Sequence, residues 1–112
     1  MSIEDTDVID IIGTNRTTGE TVLTISDHLD WSDSANHLTL LQSKLNRYLA
    51  FVESGEILEQ YPNADLGKIV FEVVFKFLPD DAGRDFLKRV KPIIESAGFA
   101  FEEQLSTNAG FN

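Results

Sequence analysis

One uninterrupted segment, from Thr21 to Ser54, constrains the fold more than any other part of this chain. Its first residues, TVLTIS, are β-branched and apolar and predict a strand, whereas apolar residues recur at helical spacing after Ser34. The polar turn between them (DHLDWSD) is rich in aspartate and serine, the residue types that cap helix N-termini. A strand that leads through a short turn into a long amphipathic helix predicts a sheet covered by helices.

The helix in this segment has a wide apolar face. Its main stripe, at about 100° per residue, consists of Leu38, Leu41, Leu45, Tyr48, Leu49 and Val52. Leu40 and Phe51 lie on the flank of that stripe and widen it to about half of the helix surface. One sheet face rarely covers so wide an arc. We therefore expect another element or a second subunit to cover Leu40 and Phe51.

The rest of the chain supplies three more strands and one more long helix. The strands are predicted at Asp7–Thr14, Lys68–Phe77 and Phe99–Leu105, in addition to Glu20–Ser26. The second helix is predicted to begin at Asp80 or Asp81 and to end before Gly98, and a short helical turn is predicted after Gly55. These elements predict an α+β two-layer sandwich in the order β-β-α-β-α-β, with a four-stranded sheet and two helices on one face. A length of 112 residues suits a single domain. We assign it to residues 1–105, with a frayed tail at 106–112.

Composition excludes several classes of function. The chain has no cysteine, which excludes disulfides and zinc–thiolate sites. Its net charge is −10, of which residues 1–66 carry −9 (twelve acids, three bases). This acidity disfavours nucleic acid and anionic membranes as partners. No basic leader and no apolar stretch of about 20 residues is present, so we expect a cytoplasmic protein.

Asp27, His28, Asp30, Asp33 and His37 form one cluster in which a chemical site could lie. Histidine and carboxylate together can bind a divalent metal or act as a base and its orienting partner, so the cluster could serve a metal-dependent or acid–base enzyme. Alternatively, the aspartates cap the helix and the histidines are ordinary turn and helix residues. We favour the second interpretation because the spacing of the cluster matches no known motif, and we therefore expect no metal. No phosphate-binding glycine loop or dinucleotide motif is present, and we expect no cofactor.

Three further features could be functional or structural. Trp31 could be a binding anchor, although packing over the edge of the core is the more common role. The phenylalanine-rich strand could line a ligand pocket, but its aromatic residues are more simply core. The second helix carries four bases, of which three share one side at spacings of four and three, and we expect a solvated face there. These bases are Arg84, Lys88, Arg89 and Lys91.

Four segments of the sequence resemble a known family. They are DVIDIIG, LTISDHLDW, LQSKLNRYLAFVESGEI and VVFKFLPD. Together they are similar to a family of short bacterial proteins known only as a domain of unknown function, over about Asp7 to Phe101. The resemblance implies one intact bacterial domain, and it carries no activity and no functional residue.

These observations favour a non-enzymatic interaction module that binds another protein or a second copy of itself. Trp31, Leu40 and Phe51 are its candidate contact residues. An immunity or inhibitor protein that covers a basic toxin surface is one version, because a small acidic chain suits that role electrostatically. The alternative is an enzyme built on Asp27, His28, Asp30 and His37, which requires those side chains to converge.

Overall fold

The structure, a computed structural model, describes residues 3–106. Its elements follow one another along the chain as β1 (Ile11–Thr14), β2 (Thr21–Asp27), α1 (Ser34–Glu53), α2 (Glu56–Gln60), β3 (Ile69–Phe75), α3 (Asp81–Ser96) and β4 (Ala100–Leu105). The predicted α+β class and the predicted order of strands and long helices are confirmed. No helix within residues 3–106 is both long enough and apolar enough to cross a membrane.

The four strands form one sheet in the order β1-β2-β3-β4. β1 and β2 pair as an antiparallel hairpin, whereas β2, β3 and β4 are parallel. Each parallel pair is joined by a crossover through a helix, and successive right-handed crossovers in one direction place their helices on the same face. α1 and α3 accordingly contact each other. This arrangement is the predicted two-layer sandwich.

Strand register determines which side chains form the core. Leu23, Phe71 and Phe101 lie side by side across β2, β3 and β4, and all three are buried against the helices. The opposite sheet face is more polar. There the Glu72 carboxylate accepts hydrogen bonds from the Thr24 hydroxyl (3.1 Å) and the Gln104 amide (2.6 Å). The sheet is therefore covered by helices on one face only.

Local signals set the ends of the helices. Asp33 caps α1 by accepting a hydrogen bond from the Asn36 amide (3.2 Å), and Asp80 caps α3 by accepting one from the Gly83 amide (2.8 Å). Gly55 separates α1 from α2 with a φ of +84°, a left-handed conformation that glycine adopts without a steric penalty. The short helical turn predicted after Gly55 is α2.

β1 is shorter than the predicted strand because residues before Ile11 bind to α1 instead. Lys44 Nζ donates to the Asp5 carbonyl (2.7 Å), and Arg47 Nε donates to the Asp7 carbonyl (3.1 Å). Ile3 has no exposed surface. The segment 3–10 therefore runs along α1 without regular secondary structure and covers part of the core. Hydrophobic periodicity does not predict this packing.

This segment and α2 account for the wide apolar arc of α1. Phe51 is 1% exposed and belongs to the same core cluster as Ile3 and Ile57, and Leu40 is half-buried against that cluster. The expectation that another element covers the flank is met within the chain. Phe51 is thus a core residue of this chain, and the roles of Phe51 and Leu40 as contact residues stay predictions.

The predicted tail falls mostly outside the described residues. Ser106, its first residue, donates its backbone N–H to the Phe75 carbonyl (2.7 Å) and so extends the pairing of β4 with β3. Residues 107–112 lie outside the described part of the chain.

Candidate functional site

The histidine–aspartate cluster lies at the carboxyl ends of the parallel strands. Asp27 is the last residue of β2 and pairs in register with Phe75, the last residue of β3. The turn after Asp27 leads into α1, and the N-terminus of α3 lies nearby, because the Ser34 hydroxyl donates to the Asp80 carboxylate. In open sheets with parallel strands, ligand sites form at this end where the strand order reverses, and the order β1-β2-β3-β4 has no such reversal.

Within the cluster, Asp27 and His37 form a buried pair. His37 Nε2 lies 2.5 Å from Asp27 Oδ2, and the two side chains are 1% and 0% exposed. Asp27 Oδ1 accepts a second hydrogen bond, from the Leu29 amide (3.2 Å). The pair therefore joins the end of β2, the following turn and the first turns of α1.

Both ring nitrogens of His37 face hydrogen-bond acceptors. Nδ1 lies 2.9 Å from the Asp30 carbonyl oxygen, and Nε2 faces the Asp27 carboxylate. A carbonyl and a carboxylate cannot donate, so only the imidazolium, with an N–H on each nitrogen, satisfies both contacts. Burial alone would lower the pKa of His37, but the hydrogen bond and the charge of Asp27, with help from Asp80, raise it overall. We infer that His37 is held in its protonated form.

Trp31 covers this pair. Its ring stacks on His37 with centroids 3.7 Å apart and an angle of 17° between the planes, and Nε1 donates to the Phe77 carbonyl (3.3 Å). The far edge of the indole lies against Gly83 of α3, where a Cβ would sit 2.8 Å from Trp31 Cη2. Close packing is therefore the reason for a glycine inside α3. Trp31 is engaged by contacts within the chain, and its role as a binding anchor stays a prediction.

The remaining members of the cluster do not converge on His37 through their side chains. His28 is 42% exposed and faces Glu4 Oε1 at 3.6 Å. The Asp30 carboxylate turns to the Ser32 hydroxyl and amide, and these hydrogen bonds lower its pKa. The Asp33 carboxylate caps α1. The cluster is thus one buried pair surrounded by capping groups.

This arrangement leaves little scope for chemistry at the pair. A general base needs a ring nitrogen within reach of a substrate, and a metal ligand needs a free lone pair. Both nitrogens of His37 are already used. Within residues 3–106, no three histidine or carboxylate side chains are grouped so that they could hold a metal ion.

A second buried ionic group, which the sequence pattern did not predict, joins the N-terminal segment to α1. Lys44 Nζ lies 2.8 Å from Asp10 Oδ1, and both side chains have no exposed surface. Tyr48 accepts the Asp10 backbone N–H (2.8 Å) and donates to the Thr24 carbonyl (2.7 Å), and burial raises the pKa of its hydroxyl. The sequence held one indication of this buried group. Lys44 is a charged residue within the apolar stripe, three positions after Leu41 and four before Tyr48.

The surface holds a different kind of site, a groove of 620 Å³ between α3 and β4. Leu87 and Phe101 are almost fully buried at its floor. Three of the four bases predicted on the second helix gather on its wall: Arg84, Lys88 and Lys91. The fourth, Arg89, pairs with Asp85 on the helix surface. We call this feature the α3/β4 groove.

Comparison with known proteins places the chain in a family. A family model described as a family of unknown function (DUF6572) matches residues 1–107. The chain belongs to this family. The match confirms the resemblance drawn from the four sequence segments, and the family brings no assigned activity. Comparisons with curated proteins and with solved structures gave no match.

Proposed function

We propose that this DUF6572 protein is a non-enzymatic interaction module of the bacterial cytoplasm, and that it binds a protein partner through the α3/β4 groove. The observation that carries the proposal is the groove itself, which combines an apolar floor with three exposed bases beside an edge strand. An apolar centre rimmed by polar groups is the usual anatomy of a protein interface.

The contacts of the Asp27–His37 pair support a non-enzymatic role. It is sealed beneath Trp31 with both ring nitrogens engaged, which suits a structural connection better than a reactive centre. We therefore favour binding over catalysis for this chain.

The charge distribution also supports the groove as the binding face. Exposed acids are spread over the N-terminal segment, all three helices and β4. Three of the nine bases, in contrast, stand together on one groove wall. Net charge alone suggests a basic partner, as in an immunity or inhibitor protein, whereas the groove favours an acidic one. We expect neither nucleic acid nor membrane to bind, since the molecule as a whole is strongly acidic.

A paired-variant pull-down tests the proposal. Tagged wild-type protein, a groove variant (Lys88→Glu with Lys91→Glu) and a control variant (Arg16→Glu with Lys76→Glu) are incubated with bacterial lysate at low and high salt. The two variants have the same net charge, but Arg16 and Lys76 are exposed away from the groove. The proposal requires a protein that wild type and control retain at low salt and the groove variant loses. If all three retain the same proteins, or none, the proposal is wrong.

A further inference from the structure

The α3/β4 groove is bounded by an open edge of the sheet. β4 ends the strand order and pairs with β3 on one side only within residues 3–106. Parallel ladders bond alternate residues of a strand to each neighbour. Because Ser106 donates to the Phe75 carbonyl, the even-numbered residues of β4 are those bonded to β3. The backbone N–H and C=O groups of Phe101, Glu103 and Leu105 consequently point outward from the sheet.

An open edge of this kind can accept another strand. An extended peptide that adds to a sheet edge gains main-chain hydrogen bonds, and its alternate side chains enter pockets beside the edge. Here the α3/β4 groove lies over the outer strand on the helix-covered face. Every second side chain of an added strand would point toward α3 and into the groove.

The charges on that face specify which side chains would fit. Arg84, Lys88 and Lys91 are spaced four and three residues apart on α3, and all three are exposed. Within residues 3–106 none of them is in an ion pair, although Arg84 Nε donates to the Pro79 carbonyl (3.3 Å). Glu103 is the carboxylate of β4 on the same side by strand alternation. Glu102 also lines the groove, although strand alternation places its side chain on the other sheet face, so three bases stand against at most two acids and the lining keeps a net positive charge.

The opposite sheet face disfavours acidic side chains on an added strand. Glu72 and Glu102 are adjacent in register there, and Glu72 is already bound by Thr24 and Gln104. Side chains of an added strand on that face would lie next to Glu102, with Glu72 one strand farther away, so neutral or basic side chains are favoured there. The two faces together select a strand that alternates acidic residues with uncharged or basic ones.

From the open edge and these charges we infer that the partner contributes an extended, acidic segment that binds as a fifth strand along β4. Its acidic side chains face Arg84, Lys88 and Lys91. This inference rests on the proposed function, since it assigns the partner chemistry of the same groove. It goes further in requiring backbone pairing rather than contact of charged surfaces alone.

The test uses isotope-labelled full-length protein and synthetic peptides as long as β4, which has six residues. The first peptide alternates glutamate and threonine, the second alternates lysine and threonine, and the third is the first with a methyl group on the backbone nitrogens of one interior glutamate and one interior threonine. These methyl groups remove a backbone donor that faces β4 whichever direction the added strand takes, and they leave the charge unchanged. Backbone amide shifts and amide exchange are followed by NMR during each titration.

We expect the glutamate–threonine peptide to shift and protect the amides of Phe101, Glu103 and Leu105. Binding should weaken with salt and should weaken by about tenfold in the Lys88→Glu, Lys91→Glu variant, since two favourable charge contacts become repulsive. The Arg16→Glu, Lys76→Glu variant should bind as wild type does. The lysine–threonine and N-methylated peptides should bind far more weakly.

Three results would overturn the inference. Equal binding of the N-methylated peptide would show charge contact without strand pairing. No protection of the β4 amides by the glutamate–threonine peptide would exclude strand addition. Concentration-dependent protection of those amides without peptide would show that a second copy occupies the edge. A groove-dependent partner in the pull-down, together with any of these results, would leave the proposed function standing while strand addition fails.

Discussion

At the scale of single residues, the buried Asp27–His37 pair is the most informative feature. An isolated buried charge is costly, and the pair offsets part of that cost because each member supplies a hydrogen bond that the other needs. The surrounding groups favour the imidazolium. They are the Asp27 carboxylate, the Asp30 carbonyl, the charge of Asp80 and the stacked face of Trp31. His37 therefore makes the stability of the fold depend on pH.

The sign of this dependence follows from the raised pKa of His37. A group whose pKa is raised on folding contributes stability that is complete below its unfolded pKa, about 6.5 for histidine, and is lost as pH rises through the folded value. We predict that the free energy of unfolding falls as the pH rises above about 6.5, the unfolded pKa of histidine. The measurement is urea unfolding at several pH values, followed by the fluorescence of Trp31.

A His37→Gln variant provides the control for that prediction. Glutamine can still donate one hydrogen bond but does not titrate, so its unfolding free energy should vary less with pH over the same range. An identical pH slope in both proteins would contradict the assignment to His37.

Gly83 is constrained in a different way, because the packing around it leaves no room for a side chain. Alanine normally stabilises a helix interior by about 1 kcal/mol relative to glycine. At Gly83 a Cβ would meet the Trp31 ring at 2.8 Å and Pro79 Cβ at 3.0 Å. We predict that Gly83→Ala lowers the free energy of unfolding by about 1–3 kcal/mol, as overpacking does.

A second substitution tests the cause. In a Trp31→Phe background the ring no longer reaches Gly83, so Gly83→Ala should cost much less there. Denaturant titration of the four proteins gives the coupling between the two sites. Stabilisation by Gly83→Ala in the wild-type background would refute the packing explanation.

At the scale of elements, the irregular N-terminal segment acts as a structural element in its own right. It places Ile3 in the core and brings Asp10 to Lys44 and Ser26, where Asp10 Oδ2 accepts the Ser26 amide (3.3 Å). The segment covers the flank of α1 that carries Phe51. From the sequence alone, this flank of α1 could have been covered by a second subunit. In the structure, a segment of the same chain covers it.

Removing the anchor of this segment should be costly. We predict that Ile3→Ala lowers the free energy of unfolding by about 2–5 kcal/mol, the usual range for truncating a buried isoleucine. Val8→Ala is the matched control, because Val8 lies on the same segment but is exposed, and it should change stability by less than about 0.5 kcal/mol. Equal effects of the two substitutions in urea unfolding would show that the segment does not pack as described.

At the scale of the whole molecule, two electrostatic effects with opposite salt responses coexist. The net charge of −10 makes the folded chain repel itself, and salt screens that repulsion. Binding of an acidic segment in the α3/β4 groove is attractive, and salt weakens it. Salt should therefore stabilise the free protein while loosening the proposed complex.

The effect of salt on the stability of the free protein can be measured without a partner. We predict that the free energy of unfolding in urea rises as sodium chloride is added. A variant with Glu59→Gln and Asp65→Asn, two exposed acids in the acidic half of the chain, should show a smaller rise. A fall in stability with salt would mean that attractive ion pairs outweigh the repulsion.

Local sequence predicted much of the fold, because the signals for helices and strands lie within a few residues of one another. Apolar periodicity predicted α1 and β3, and capping aspartates predicted where α1 and α3 begin. The same signals overestimated β1 by four residues at its start, since Asp7 to Asp10 read as strand by composition but bind α1. Composition cannot distinguish a strand from an extended segment that pairs with a helix.

The amino-acid sequence by itself determined the element types, the order of strands and long helices, the family and the bases along one side of α3. Only the tertiary structure decided the strand order, the core position of Phe51 and the union of Asp27 with His37 while His28 stays apart. It also brought the bases of α3 to the open edge of β4. These features join residues that are distant in the chain or that lie in turns without a regular period. Such contacts depend on which surfaces bury the most apolar area together, and local patterns do not encode that competition.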